Sequence, residues 1–237
     1  MDRRSFIGAA LSAMAVAPLA AQAQGAKLKI ATIGSGREGG ALGTRFAKEG
    51  FPVMFSSRNP DSLKDLVANA GPTAKAGTVA EAIAFADDVM IVVPYSAMEQ
   101  IAKDFGAVLA TKQLVVDVSN PIAGRDGAEF VKKINDEGGA GLAAKKMFPG
   151  AHLVRGFNAI GSGGLEKAAH RTGEPLGVPI AGDDPKALEL ASKLIKDIGF
   201  EAVVVGGMAK GKYLVPGTPL GGEHTPDEIR KIAATLS

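Results

Sequence analysis

The chain has 237 residues, enough for one large α/β domain or a domain with a small lobe. Its 46% apolar content excludes a disordered chain, and its 5% aromatic content with no Trp excludes a stacking platform for nucleic acid. A net charge of +2 with both signs interspersed leaves no basic patch for DNA, and the absence of Cys rules out disulfides, thiolate catalysis and Cys-ligated metals.

Residues 1–23 read as a targeting segment. Asp2-Arg3-Arg4-Ser5-Phe6-Ile7 opens the chain, an Ala- and Leu-rich run extends to Leu19, and Ala21-Gln22-Ala23 has the small-x-small pattern of a cleavage site. Arg3 and Arg4 followed by Phe6 resemble a twin-arginine (Tat) signal, which predicts that the Tat export machinery carries the folded precursor to the periplasm. A stable membrane anchor wants about 18 apolar residues, and this run is short and interrupted by Pro18.

Beyond residue 23, short β-branched runs alternate with helical patterns. That alternation predicts a parallel sheet with crossover helices. Strands are expected at Leu28–Ile33, Val53–Ser56, Val89–Val93 and Leu114–Val118, with a short edge strand near Ala74–Ala76. Helices are expected at about Gly39–Glu49, Asp61–Asn69, Val79–Phe85 and Ala97–Leu109, and Thr78 with Glu81 forms a capping box for the third. A broken helix follows between Ala128 and Met147. Further strands are expected at Leu153–Phe157, Val178–Ala181 and Ala202–Val205. The amphipathic stretch Pro185–Ile198 reads as a helix, and Thr225-Pro226-Asp227-Glu228 starts a terminal one. The expected class is α/β, a Rossmann-type doubly wound parallel sheet with a small C-terminal α/β lobe.

The first strand leads directly into Gly34-Ser35-Gly36-Arg37-Glu38-Gly39. Alone, such a glycine pattern is weak; between a strand and a helix it marks a dinucleotide turn. Gly34 permits the tight turn, Gly36 lets the backbone approach a pyrophosphate, and Gly39 lets helix and strand pack closely. The amides of Arg37 and Glu38 would face the phosphates from the helix N-terminus. At the end of the second strand an NAD site usually carries an acid for the ribose 2′-hydroxyl. Here the chain reads Ser56-Ser57-Arg58-Asn59-Pro60, with a hydroxyl and a guanidinium where a 2′-phosphate would sit. The cofactor expected from this substitution is NADP(H).

With these residues in view, the chain resembles the deazaflavin-dependent NADP oxidoreductases (NADPH-dependent coenzyme F420 reductases), and also the cytosolic domain of the Steap metalloreductases. The matching stretches are Ile33-Gly34-Ser35-Gly36, Ser57-Arg58-Asn59-Pro60, Val92-Val93-Pro94, Asp117-Val118-Ser119-Asn120-Pro121 and Gly156-Phe157-Asn158-Ala159. They continue through Ala181-Gly182-Asp183-Asp184 and Lys212-Tyr213-Leu214. The resemblance implies NADP across the strand ends, with a flavin or deazaflavin (coenzyme F420) stacked on the nicotinamide. It implies that Val93, Pro94 and Tyr95 line the nucleotide and that Asn158 and Ala159 lie near the nicotinamide. Residues 24–150 would form the NADP-binding domain and residues 151–237 the lobe completing the acceptor site. Hydride would pass directly between rings, so no acid or base side chain is assigned. One stretch departs from the family: Pro216-Gly217-Thr218-Pro219-Leu220-Gly221-Gly222 breaks the apolar helix that usually follows Tyr-Leu.

Three other readings compete. A sensor or carrier module would share the glycine turn and Ser57-Arg58 without turnover. A hydroxyacid or imine-type dehydrogenase would want a catalytic Lys on a glycine-started helix, and Gly161-Ser162-Gly163-Gly164-Leu165-Glu166-Lys167 offers Lys167, by default a helix-surface residue. A short-chain dehydrogenase would need Lys four positions after Tyr95, and Glu99 stands there. His152, His170 and His224 are scattered without metal-ligand spacing, so no metal is expected. The expected partners are a small-molecule hydride acceptor and, for the precursor, the export machinery; further copies of the chain stay open.

Overall fold

The computed structural model describes residues 27–236. The expected export signal, with Arg3, Arg4 and the Ala21-Gln22-Ala23 cleavage pattern, lies outside the described residues. Among the described residues, no helix is long and apolar enough to cross a membrane.

The first half winds as alternating strands and helices: β1 (Ile30–Ile33), α1 (Arg37–Lys48), β2 (Val53–Ser56), α2 (Lys64–Ala70), β3 (Ala74–Gly77), α3 (Val79–Phe85), β4 (Asp88–Ile91), α4 (Met98–Leu109) and β5 (Leu114–Asp117). Two short helices, α5 (Ala123–Asp126) and α6 (Ala128–Asp136), precede α7 (Ala140–Met147), β6 (Leu153–Arg155) and α8 (Ser162–Lys167). The chain closes with β7 (Gly177–Gly182), α9 (Pro185–Asp197), β8 (Glu201–Gly206), a 3-10 helical turn at Met208–Leu214 and α10 (Pro226–Ala233).

All eight strands join one sheet in the order β3-β2-β1-β4-β5-β6-β7-β8. Strands β1 to β6 pair in parallel, β7 runs antiparallel to β6, and β8 is parallel to β7. This is the doubly wound α/β fold expected from the sequence. The strands β1, β2, β4 and β5 are buried along their whole length, as continuous apolar runs covered on both faces must be. One core lies under α1, α2, α8 and α9 and takes Ile30 from β1; the other lies under α3, α4, α6 and α7 and takes Ala31 and Ile33. A third, smaller core joins Val203 of β8 to Leu214, Leu220 and Ile229.

Local sequence accounts for most boundaries. Thr78 accepts from the Glu81 N–H while the Glu81 carboxylate accepts from the Thr78 N–H, the predicted capping box. Thr225 and Glu228 repeat the device at α10. The helix expected between Ala128 and Met147 breaks at Gly138 and Gly139, both at positive φ. Three strands end earlier than expected, β5 by the single residue Val118. β4 stops at Ile91 and β6 at Arg155, and the residues released, Val92-Val93-Pro94 and Gly156-Phe157, turn away at the strand ends. Strand order reverses between β1 and β4, with the β1 crossover going one way and the β4 crossover the other. A crevice opens there, outside the carboxyl ends of the strands.

Candidate dinucleotide site

The turn after β1 is one that only glycine fits. Gly34 has φ +94°, and a Cβ there would stand 2.4 Å from the Val92 carbonyl oxygen. A Cβ at Gly39 would stand 1.9 Å from the Gly34 carbonyl oxygen, so α1 rests directly on the turn. Gly36 is different: nothing lies within 4 Å of the position its Cβ would take, and that space belongs to the crevice. The Gly34 N–H donates to Ser56 Oγ at 3.2 Å, which ties the turn to the end of β2. The first intrahelical bond of α1 runs from the Gly40 N–H to the Gly36 carbonyl, so the N–H groups of 37–39 precede the helical ladder at its positive end.

The crevice has two lobes that meet at Gly36, Val93 and Pro94. The first, about 610 Å³, is lined by Gly34, Ser35, Ser57, Arg58, Ala97 and Ile101 among others. Ser57 Oγ accepts from the Asn59 N–H at 3.0 Å, a local turn that fixes the serine. Arg58 is exposed and forms no ion pair with a described residue. The second lobe, about 400 Å³, is lined by Val118, Asn120, Ile122, Asn158, Ile160 and Pro216, with Arg37, Glu38, Gly39 and Ala159 also in its lining.

Most of the sequence-predicted residues therefore come together in one crevice. Two do not line it. Tyr95 is fully buried, with its hydroxyl donating to the Ala140 carbonyl and its ring beside Phe130. Burial pushes that hydroxyl well above its ordinary range. The segment match placed Tyr95 at the nucleotide, but the turn after Pro94 carries its side chain back into the core under α7. Asn59 contributes through its backbone to Ser57 rather than as a lining side chain. Lys167 sits exposed at the end of α8, away from both lobes. Tyr213 packs in the third core beside Leu214. Among the described residues no group of His, Asp and Glu is arranged to hold a metal ion.

Sequence reading missed the polar layer beneath the second lobe. Asp117, at the end of β5, and Arg155, at the end of β6, are both sealed from solvent and form an ion pair. The Ser119 N–H donates to Asp117 at 2.8 Å. Burial pushes the Asp117 carboxyl up, against the opposing pull of Arg155 and Ser119. Asn158 donates from Nδ2 to the carbonyls of Asp117 and Ser119, at 3.1 and 3.2 Å. The Asp-x-Ser-Asn-Pro run after an apolar strand was the available signal, but Arg155 sits inside a strand and gave none.

Comparison with known proteins bears on the fold and the family. Residues 29–121 match the family described as NADP oxidoreductase, coenzyme F420-dependent. Among solved structures, a hypothetical protein from Sinorhizobium meliloti is 26% identical with a TM-score of 0.68, covering 82% of this chain and 93% of its own. A candidate F420-dependent NADP reductase from Arthrobacter sp. FB24 is 21% identical, also with a TM-score of 0.68, covering 78% and 87%. An imine reductase from Pseudomonas sp. is 14% identical with a TM-score of 0.55, and the match spans 76% of this chain and 56% of that enzyme. The latter two likenesses are likenesses of fold. No curated protein matches the chain significantly.

Proposed function

We propose, from the match of residues 29–121 to the coenzyme F420-dependent NADP oxidoreductase family, that this chain transfers hydride between NADP(H) and a flavin, deazaflavin or related acceptor. The observation that carries the reading is the pairing of two lobes across one glycine turn. One lobe ends in Ser57 and Arg58, and the other is a mostly apolar recess with the amides of Asn120 and Asn158 in its lining. The open space over Gly36 fits a pyrophosphate, because a side chain there would fill it. The free guanidinium of Arg58 fits a 2′-phosphate, which it meets with planar paired donors. The nicotinamide, when bound, would give or take the hydride at its ring.

The chain's own groups do the rest. The N–H groups of 37–39 bind the phosphates at the positive end of α1, and Ser57 and Arg58 select the 2′-phosphate. Val92, Val93, Val118, Ile160 and Pro216 exclude water from the ring end, which favours direct hydride transfer over side reactions. Residues 24–150 act as the nucleotide-binding domain, and residues 151–237 complete the acceptor side. Rapid mixing of the protein with NADPH and a panel of flavins, deazaflavin and ferric chelates tests this. Oxidation of NADPH with one acceptor class is expected; NADPH binding without oxidation by any acceptor would leave a carrier or sensor module.

The Arg3-Arg4 pair supports export through the Tat machinery, with the nucleotide bound before transport. Replacing both by Lys should strand the precursor in the cytoplasm. Arrival of the doubly substituted protein in the periplasm would refute that route.

A further inference from the structure

Arg155 is among the largest side chains that the fold buries completely. A guanidinium sealed from water is tolerated only when its donors are met, and here each nitrogen is engaged. Nε donates to the Gly211 carbonyl at 3.1 Å, Nη1 to Asp117 and to the Ser119 carbonyl, and Nη2 to Asn120 Oδ1 at 2.8 Å. Asn120 in turn donates from Nδ2 to the Asn158 carbonyl at 2.8 Å. These bonds close around Phe157, which has φ 61°, one of two non-glycine residues at positive φ among those described. Such a backbone persists only where its surroundings hold it. On the other side, Gly211 approaches so closely that a Cβ there would stand 2.7 Å from Arg155 Cδ. The turn bearing Gly211 leads into Pro216, the wall of the second lobe.

We propose that Arg155 is a positioning residue. It fixes Asn120 and Asn158, which line the second lobe, relative to Pro216 in the same lining, and so sets how the nicotinamide end of the dinucleotide is held. The inference rests on the dinucleotide function proposed above and concerns residues outside the glycine turn and the Ser57-Arg58 element.

The test uses the full chain and two probes: NADPH, and 2′,5′-ADP, which carries only the adenosine end. Arg155→Lys keeps a cation beside Asp117 but lacks the planar fork that reaches Gly211 and Asn120. It should weaken NADPH about tenfold or more, and return the fluorescence of bound NADPH toward that of free NADPH. Affinity for 2′,5′-ADP should be unchanged. Asn120→Ala leaves the ion pair in place and should give the same split, and the double variant should lose no more than the larger single loss. Should Arg155→Lys fail to fold, the split in Asn120→Ala decides. Equal losses for both probes, or no loss for either, would overturn the proposal and leave Arg155 as a support of the fold. A wild-type chain that binds neither probe would instead overturn the dinucleotide reading, and the role of Arg155 with it.

Discussion

The two lobes of the crevice are built in opposite ways. The first is assembled from stretches that each carry their own geometry: a glycine turn, a strand end with a serine turn, and the start of α4. The second is assembled from pieces far apart in the chain, β5 and β6 ends and the segment before Pro216, and it holds together through Arg155 and Asp117. A phosphate is recognised by backbone N–H groups and a cation, which a short turn supplies by itself. A flat ring is recognised by shape, and shape needs walls from several elements.

The largest expected effect separates structure from binding within the glycine turn. Gly39→Ala drives a methyl into the Gly34 carbonyl and should destabilise the fold by about 3 kcal/mol, read as a lowered denaturant midpoint. Gly36→Ala has open space and should leave the midpoint within about 0.5–1 kcal/mol of wild type while abolishing tight NADPH binding. A Gly36→Ala protein that binds NADPH normally would show that the turn is only a packing device.

A second test contrasts two buried carboxylates at opposite ends of neighbouring strands. Asp117, at the crevice, has Arg155 and Ser119 as partners; Asp88, at the start of β4, has both oxygens buried without a hydrogen-bond partner. Burial, with the neighbouring charge of Asp87, pushes Asp88 up from 3.8 to about 7. The folded chain therefore holds this proton to higher pH than the unfolded chain, and stability should fall as pH rises from about 4 to about 7, then level off. Asp88→Asn should remove that slope and stabilise the protein at pH 8 by on the order of 2 kcal/mol, part of the gain being offset by a buried amide. NADPH affinity should not change, since Asp88 lies at the end of the sheet remote from the crevice. Urea unfolding at a series of pH values reads both predictions, and an unchanged slope would remove Asp88 as its source.

The smallest effects sharpen the first lobe. Arg58→Ala should cost NADPH roughly 1.5–3 kcal/mol, about ten- to a hundredfold, and leave NADH nearly unaffected. Ser57→Ala should lose less in the same direction, because one neutral hydroxyl contributes less. Paired titrations at fixed ionic strength measure both. Equal losses for the two nucleotides would mean that Arg58 reads the adenosine without its 2′-phosphate.

The expected elements were legible where the local pattern and the tertiary fold agree. Thr78 with Glu81, Pro226 after Thr225, and the apolar runs of β1, β2, β4 and β5 each carry their own reason. Strand ends were less legible, because Val92 is as apolar as the residues before it and Phe157 resumes the apolar pattern after Arg155 and Gly156. Only their position beyond the sheet turns them toward the crevice. Tyr95 shows the same limit from the other side: its segment reaches the crevice at Pro94, and one more residue places its ring in the core.

The sequence by itself determined the alternation of strand and helix, the glycine turn and the absence of an acid at the end of β2, because each depends on neighbours within a few residues. Only the tertiary structure decided that Arg155 and Asp117, 38 residues apart, meet sealed from solvent and that Pro216 and Asn158 line one recess. A buried ion pair and a pocket wall exist only once distant strands have been laid side by side, and no local pattern encodes which ones those will be.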